Sequence, residues 1–109
     1  MGINILDNII ASYVLSILET DSMITCSWGF QDPQTIKNGL RFYVQGFLFK
    51  GYIEVIYNST DESFNIRRLT GEDNTLMLIE NVSQHDLINV IDKIVEKSDN
   101  YEDMVTQSI

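Results

Sequence analysis

In residues 40–58, apolar side chains alternate with a mixture of polar and aromatic ones, and one short polar segment interrupts the pattern. Lys50 and Gly51 separate two runs, 40–49 and 52–58, that are rich in β-branched and aromatic residues. A two-residue loop that contains glycine is typical of a β-hairpin, because glycine tolerates the positive φ that such turns require. The sequence therefore predicts a tight antiparallel hairpin that reverses at Lys50-Gly51.

The predicted turn fixes the register of this hairpin and divides it into two faces. It pairs Phe49 with Tyr52, Leu48 with Ile53, Phe47 with Glu54 and Gln45 with Ile56. A third strand at roughly 64–69 extends both faces if Tyr57 lies opposite Phe64. The apolar face is the predicted core and holds Phe42, Val44, Gly46, Leu48, Ile53, Val55, Tyr57, Phe64 and Ile66. The mixed face holds Arg41, Tyr43, Gln45, Phe47, Phe49, Tyr52, Glu54, Ile56, Asn65, Arg67 and Leu69.

The rest of the chain adds a helix at each end and two more strands. Helical spacing over 5–19 predicts a buried stripe, and Asn4 and Asp7 suit the helix start. The stripe consists of Leu6, Ile9, Ile10, Tyr13, Val14, Ile17 and Leu18. Alternation predicts strands at 23–30 and 75–80, and the turn residues of 31–39 predict a loop. A capping box of Ser83 and Asp86 opens the last helix.

This element order predicts an α+β fold, a two-layer sandwich. An N-terminal helix, a five-stranded and mainly antiparallel meander sheet and a C-terminal helix follow one another. Both helices need an apolar partner, and the simplest arrangement packs both on one face of the sheet. We expect one domain over residues 1–98 and an acidic, loose tail over residues 99–109.

Composition limits the classes of partner. The net charge of −9 argues against binding to nucleic acid phosphates or to an anionic membrane. The chain has no run of 18 apolar residues, so no transmembrane helix is predicted. It has one cysteine and therefore cannot form an internal disulfide. We expect a cytoplasmic protein, and the abundance of Ile, Asn and Asp points to a bacterial or phage genome.

No motif in the sequence predicts catalysis, a metal site or a cofactor. His85 is the single histidine, and a metal site there would need carboxylates as its other ligands. Cys26 alternates with Ile24 and Trp28, and this pattern predicts a buried, unreactive thiol. The scattered glycines form no phosphate-binding loop. The chain is therefore predicted not to be an enzyme.

The mixed face is the predicted partner-binding site, because aromatic residues and arginine are enriched at the centres of interfaces. The proposed contact residues are Arg41, Tyr43, Phe47, Phe49, Tyr52, Glu54, Ile56 and Arg67. A second copy of the chain is the expected partner, since two-fold homodimers are the commonest oligomers. The alternative is that a loop, the tail or the first helix covers this face within the monomer.

Two other functions remain open from the sequence. The first is an acidic inhibitor or DNA mimic of a mobile element, in which the acids of residues 72–103 would stand in for phosphates. The second is a chaperone-like binder, suggested by small size, acidity and the helix–sheet–helix order.

Overall fold

Two helical segments, a sheet and a closing helix follow one another in the computed structural model, which describes residues 4–46, 48–69 and 74–95. The helical elements are α1 (Ile5–Leu18), a 3-10 turn (Glu19–Asp21), α2 (Ser22–Ser27), a second 3-10 turn (Gln84–Asp86) and α3 (Leu87–Val95). The strands are β1 (Gln31–Ile36), β2 (Gly39–Gln45), β3 (Lys50–Asn58), β4 (Ser63–Leu69) and β5 (Thr75–Val82).

The five strands form one antiparallel meander, in the spatial order β1-β2-β3-β4-β5. Short reversals join neighbouring strands, as is usual when consecutive strands pair. Both ends of the chain contribute helices to one core on a single face of this sheet. The predicted α+β fold with a meander sheet between an N-terminal and a C-terminal helix is confirmed.

The core lies between the helices and the face of the sheet that the sequence marked as apolar. Phe42, Val44, Ile53, Val55, Phe64 and Ile66 are fully or almost fully buried there. From the helical side the core receives Ala11, Val14, Ile17 and Leu18 of α1, Trp28 after α2, and Leu87, Ile91 and Val95 of α3. Burial of these side chains supplies the main driving force for packing the two layers together.

The β2–β3 reversal differs from the prediction. Tyr52 lies opposite Tyr43 and Glu54 lies opposite Arg41, so the predicted pairs of Phe49 with Tyr52 and of Phe47 with Glu54 are wrong. Each β3 residue lies opposite a β2 residue that is six positions earlier in the chain than predicted. Glu54, for example, lies opposite residue 41 instead of residue 47 (47 − 41 = 6). Because six is an even number and side chains alternate with period two, every residue of these strands keeps its predicted face.

Contacts with the end of α3 set the position of this reversal. The backbone N–H groups of Leu48 and Phe49 donate to the carbonyl oxygen of Val95 at 2.7 and 3.2 Å. They satisfy an acceptor that the helix end would otherwise leave unpaired. A Cβ at Gly46 would lie 2.4 Å from Val95, so this close approach requires glycine. Strand β2 therefore ends at Gln45, and Lys50 and Gly51 belong to β3.

The segment after α1 is helical, and the predicted strand at 23–30 is wrong. Asp21 accepts a hydrogen bond from the backbone N–H of Ile24, which starts a new turn of helix. The Thr25 hydroxyl donates back to the carbonyls of Asp21 and Ser22, a local bond that a strand could not form. Cys26 is consequently exposed, contrary to the prediction that it is buried.

The predicted loop at 31–39 contains edge strand β1. Proline is tolerated there because an edge strand has a free side that needs no ladder hydrogen bonds. The pairing of β1 with β2 is irregular between Gln31 and Gln34, where the register shifts. Lys37 and Asn38 form the turn into β2, with Asn38 at φ 60°.

Trp28 connects the helical segments to the sheet. Its side chain is completely buried and its ring stacks on that of Phe42, with centroids 6.5 Å apart. The indole Nε1–H donates to Asp92 of α3 at 2.9 Å, so the buried ring keeps a polar partner. One residue therefore joins the end of α2, strand β2 and helix α3.

Helix α1 is rotated relative to the predicted stripe. It buries Asp7, Ala11, Val14, Ile17 and Leu18, whereas the expected core residues Leu6, Ile9 and Tyr13 are exposed. Asp7 explains the rotation, because its carboxylate accepts a hydrogen bond from the backbone N–H of Asn38 at 2.8 Å. The same carboxylate accepts from the N–H of Asn4 at 3.1 Å and completes a capping box.

The helical run Ile5–Ser27 is long and apolar enough, by length and composition, to cross a membrane. It has 23 residues, and its most apolar window has a mean hydropathy of 1.3. The core helices of water-soluble proteins pass the same test, and here α1 contributes four side chains to the core.

The last helix begins later than the predicted capping box suggests. Ser83 precedes a 3-10 turn, and its hydroxyl donates to the Asp86 side chain at 3.1 Å without capping a backbone N–H. Helix α3 then runs to Val95. The acidic tail predicted for residues 99–109 lies outside the described residues.

The hydrogen bonds at Asp7 predict an acid-sensitive contribution to stability. The backbone N–H groups of Asn38, and then of Asn4, stabilise the charged form and hold the pKa of Asp7 below its usual value. A lowered pKa adds stability above the unfolded-state pKa of about 3.9, and this stability is lost as the pH falls towards the folded-state pKa. The difference in free energy of unfolding between wild type and Asp7→Asn should therefore shrink from about pH 5 to about pH 3. Urea denaturation at each pH measures it, and a difference independent of pH would contradict this role.

Candidate functional site

The second face of the sheet is the candidate site, and we call it the outer face. It is formed by the side chains that alternate with the core residues in β2, β3 and β4. Its central members are Arg41, Tyr43, Tyr52, Glu54, Ile56 and Arg67. Within residues 4–46, 48–69 and 74–95, the helices contribute to the core from the opposite side of the sheet.

Glu54 is the centre of this face. Strand pairing places it between Arg41 of β2 and Arg67 of β4. One carboxylate oxygen accepts from Nη1 of Arg41 at 3.2 Å, and the other accepts from Nη2 of Arg67. Glu54 thus forms one ion pair with Arg67 and a second with Arg41.

Solvent exposure decides how much this ion network contributes. The Glu54 side chain is 6% exposed, whereas those of Arg41 and Arg67 are 19% and 37% exposed. A buried carboxylate is stable only when it is paired, so Glu54 depends on both arginines. The network of two arginines and one glutamate has a net charge of +1, on a chain whose net charge is −9.

Two tyrosines pack beside the ion network. The Arg41 guanidinium lies 4.2 Å from the centroid of the Tyr52 ring, within the range of a cation–π interaction. Tyr43 meets Tyr52 edge-on with ring centroids 5.2 Å apart, a favoured aromatic geometry. These contacts leave both tyrosines half-buried, and they hold the rings in fixed positions on the outer face.

Apolar side chains extend the outer face on both sides of the network. Ile56 lies opposite Gly39, which in turn lies opposite Ile36 of β1. Leu78 of β5 lies opposite Arg67 and is 50% exposed. The outer face thus combines aromatic, aliphatic and guanidinium groups, the composition typical of an interface centre.

The structure brings together most of the predicted site but not all of it. Phe49 lies in the β2–β3 loop, packs against the core and has the Arg68 guanidinium 4.8 Å from its ring centroid. Its predicted place opposite Tyr52 is taken by Tyr43, because the reversal comes earlier in the chain. Phe47 lies outside the described residues.

The titratable side chains elsewhere do not form a reactive centre in the described part of the chain. No three His, Cys, Asp or Glu side chains are close enough together there to hold a metal ion. His85 is exposed in the 3-10 turn before α3, and Cys26 is exposed on α2. Within the described part of the chain, neither side chain has a hydrogen-bond or ion-pair partner that would activate it as a base or a nucleophile.

A second unusual surface, which sequence reasoning missed, lies on the opposite side of the molecule. Helix α1 exposes Ile5, Leu6, Ile9 and Tyr13. The signal in the sequence was that α1 is apolar on almost every side, so one buried stripe could not account for all its apolar residues. Because Leu6, Ile9 and Tyr13 were predicted to be core residues, this surface was not predicted.

Comparisons with protein-family models, with curated proteins and with solved structures find no match for this chain. The geometry of the described residues therefore carries the functional argument.

The dependence of Glu54 on two partners predicts a clear effect of its neutralisation. Glu54→Gln should lower the free energy of unfolding by about 2 kcal/mol, because both partly buried guanidinium groups lose their counter-charge. Urea denaturation at neutral pH measures this loss. Glu62→Gln changes an exposed acid in the β3–β4 turn and serves as the matched control, with an expected change within about 0.5 kcal/mol. Equal stability of the two variants would show that the network contributes nothing.

Proposed function

We propose that this protein is a non-catalytic interaction module that self-associates through the outer face of its sheet. The observation that carries the proposal is the Arg41–Glu54–Arg67 network with its adjoining tyrosine pair, on a face opposite the helices. Arginine and tyrosine are over-represented among the residues that dominate binding energy. Here they are held in place by contacts within the chain, which lowers the entropy lost on binding.

A second copy of the chain could pack against this face as a second sheet. Two sheets pack face to face with aligned strands in many β-sandwiches, at a separation of about 10 Å. A two-fold axis through the outer face would place the same side chains of both copies in one contact, the usual form of a homodimer. The resulting order of layers would be helices, sheet, sheet, helices.

Charge also supports self-association at this face. Two copies that each carry a net charge of −9 repel one another wherever their acidic surfaces meet. The network at the centre of the outer face has a net charge of +1, so repulsion between acidic groups is weaker where two such faces meet. Residues 1–36 contain four acids and no base, and this range includes α1, α2 and all of edge strand β1.

The acidic-inhibitor alternative has less support from the described residues. It depends on ordered rows of carboxylates over 72–103, and in the described part of that range the acids are Glu80, Asp86 and Asp92. Asp86 accepts from the Ser83 hydroxyl and Asp92 accepts from the Trp28 indole. These two carboxylates have structural partners within the chain.

Sedimentation equilibrium tests the proposed function. The wild type should show a species of twice the 12.5 kDa chain mass at micromolar concentration. Tyr52→Ser and Ile56→Ser, made separately, should each raise the dissociation constant about tenfold or more, because both remove apolar area from the centre of the interface. Circular dichroism of each variant confirms that it is folded.

The matched control is Met23→Ser, which removes a large exposed side chain from α2. It should leave the dissociation constant unchanged. A wild type that stays at the mass of one chain, or outer-face variants that associate as tightly as the wild type, would overturn the proposal.

A further inference from the structure

Helix α1 exposes a regular row of apolar side chains that ends beside the β3–β4 hairpin. Ile5, Ile9 and Tyr13 follow one another at intervals of four residues, and their exposed fractions are 76%, 59% and 42%. Rows of this spacing form the ridges that interdigitate when two α-helices pack. From Ile5 to Tyr13 the row is about 12 Å long, or two helical turns.

An aromatic-lined cavity of about 310 Å³ lies directly beside this row. Ile9 and Tyr13 form one wall, and Tyr57 and Phe64 of the β3–β4 hairpin contribute the other. The Phe64 ring lies 6.2 Å from that of Tyr13 and 5.4 Å from that of Tyr57, measured between centroids. The ridge can fit into a groove of a second helix, and the cavity can accept side chains that project from that helix.

The charged side chains of α1, of the 3-10 turn that follows it and of the cavity lining are all acidic. Glu62 is the charged residue among those that line the cavity, and Glu19 and Asp21 follow the C-terminal end of α1. Residues 1–36 contain no lysine or arginine. A partner that places basic side chains beside an apolar stripe would therefore complement this surface.

We propose that the α1 row and its cavity bind an amphipathic helix of another protein, with an apolar stripe flanked by lysine or arginine. Binding of an amphipathic helix in a hydrophobic groove is a recurrent mode of recognition, and spaced apolar anchors define it. The partner's apolar side chains would pack between Ile5, Ile9 and Tyr13 and enter the cavity next to Phe64.

The geometry favours this partner over a second copy of the chain. The α1 row and the outer face of the sheet lie on opposite sides of the two-layer fold. Two self-complementary contacts on opposite sides would not close, and they would generate an open chain of subunits. An anionic membrane is also disfavoured, because α1 carries no basic residue and the chain is strongly acidic.

The probe for this test is a synthetic amphipathic peptide of about 18 residues made of leucine and lysine, with leucine on one helical face. A first control peptide has the same composition in an order that spreads leucine around the helix. A second has glutamate in place of lysine. Isothermal titration calorimetry with the full-length protein should detect binding of the first peptide alone, and amide NMR shifts should map it to α1 and the β3–β4 hairpin.

Uncharged variants separate apolar packing from electrostatic attraction. Ile5→Gln combined with Ile9→Gln should weaken peptide binding about tenfold or more, because apolar area is lost while charge and helix propensity are kept. Met23→Gln, on exposed α2, should bind the peptide as the wild type does.

Four outcomes would overturn the proposal. They are equal binding by the Ile5/Ile9 variant, equal binding of the glutamate peptide, NMR shifts confined to the outer face, and recruitment of the protein to phosphatidylcholine–phosphatidylglycerol vesicles through Ile5 and Ile9. A change in the mass of the peptide-free protein caused by the Ile5/Ile9 variant would assign the row to self-association and would also overturn it. The proposed self-association through the outer face is tested independently, because its variants, Tyr52→Ser and Ile56→Ser, leave α1 unchanged.

Discussion

The helices can cover one face of the sheet, and the rest of the molecule follows from this constraint. Side chains in a strand alternate between faces, so each of the five strands contributes to a buried side and to an outer side. The buried side has apolar side chains such as Phe42, Val55 and Ile66, which pack against α1 and α3. No described helix covers the outer side, and contacts among its own side chains stabilise it.

Those contacts explain why charged residues occupy the middle of a sheet. Glu54 lies on a central strand and is buried by its neighbours, so an unpaired carboxylate there would be strongly destabilising. Arg41 and Arg67 on the two flanking strands supply its partners, and Tyr52 packs under the Arg41 guanidinium. A rigid, preorganised group of this kind is suited to binding a flat protein surface, which is the basis of the proposed function.

Helix α1 shows how one polar residue sets the surface of a whole element. Because the Asp7 carboxylate bonds the backbone of Asn38, the helix must turn its Asp7 side inward. Ala11, Val14 and Leu18 follow it into the core, and the row at Ile5, Ile9 and Tyr13 is left outside. This hydrogen bond connects the helix start to the β1–β2 turn and offsets the cost of exposing apolar residues. The exposed row is the surface proposed to bind another helix.

The sequence by itself determined the properties that depend on local pattern. Alternation fixed which side chains of β2, β3 and β4 share a face, and this assignment survived the shifted reversal because the shift was even. The structure has Tyr57 opposite Phe64, the register that the face assignment of β4 assumed, and Glu54 consequently lies opposite Arg67. Tertiary structure decided the features that depend on partners distant in the chain. The Val95 carbonyl placed the β2–β3 loop and moved Phe49 to the core side, and Asn38 set the rotation of α1. Buried polar groups must find hydrogen-bond partners wherever the fold provides them, and a periodic pattern of apolar residues contains no information about where those partners lie.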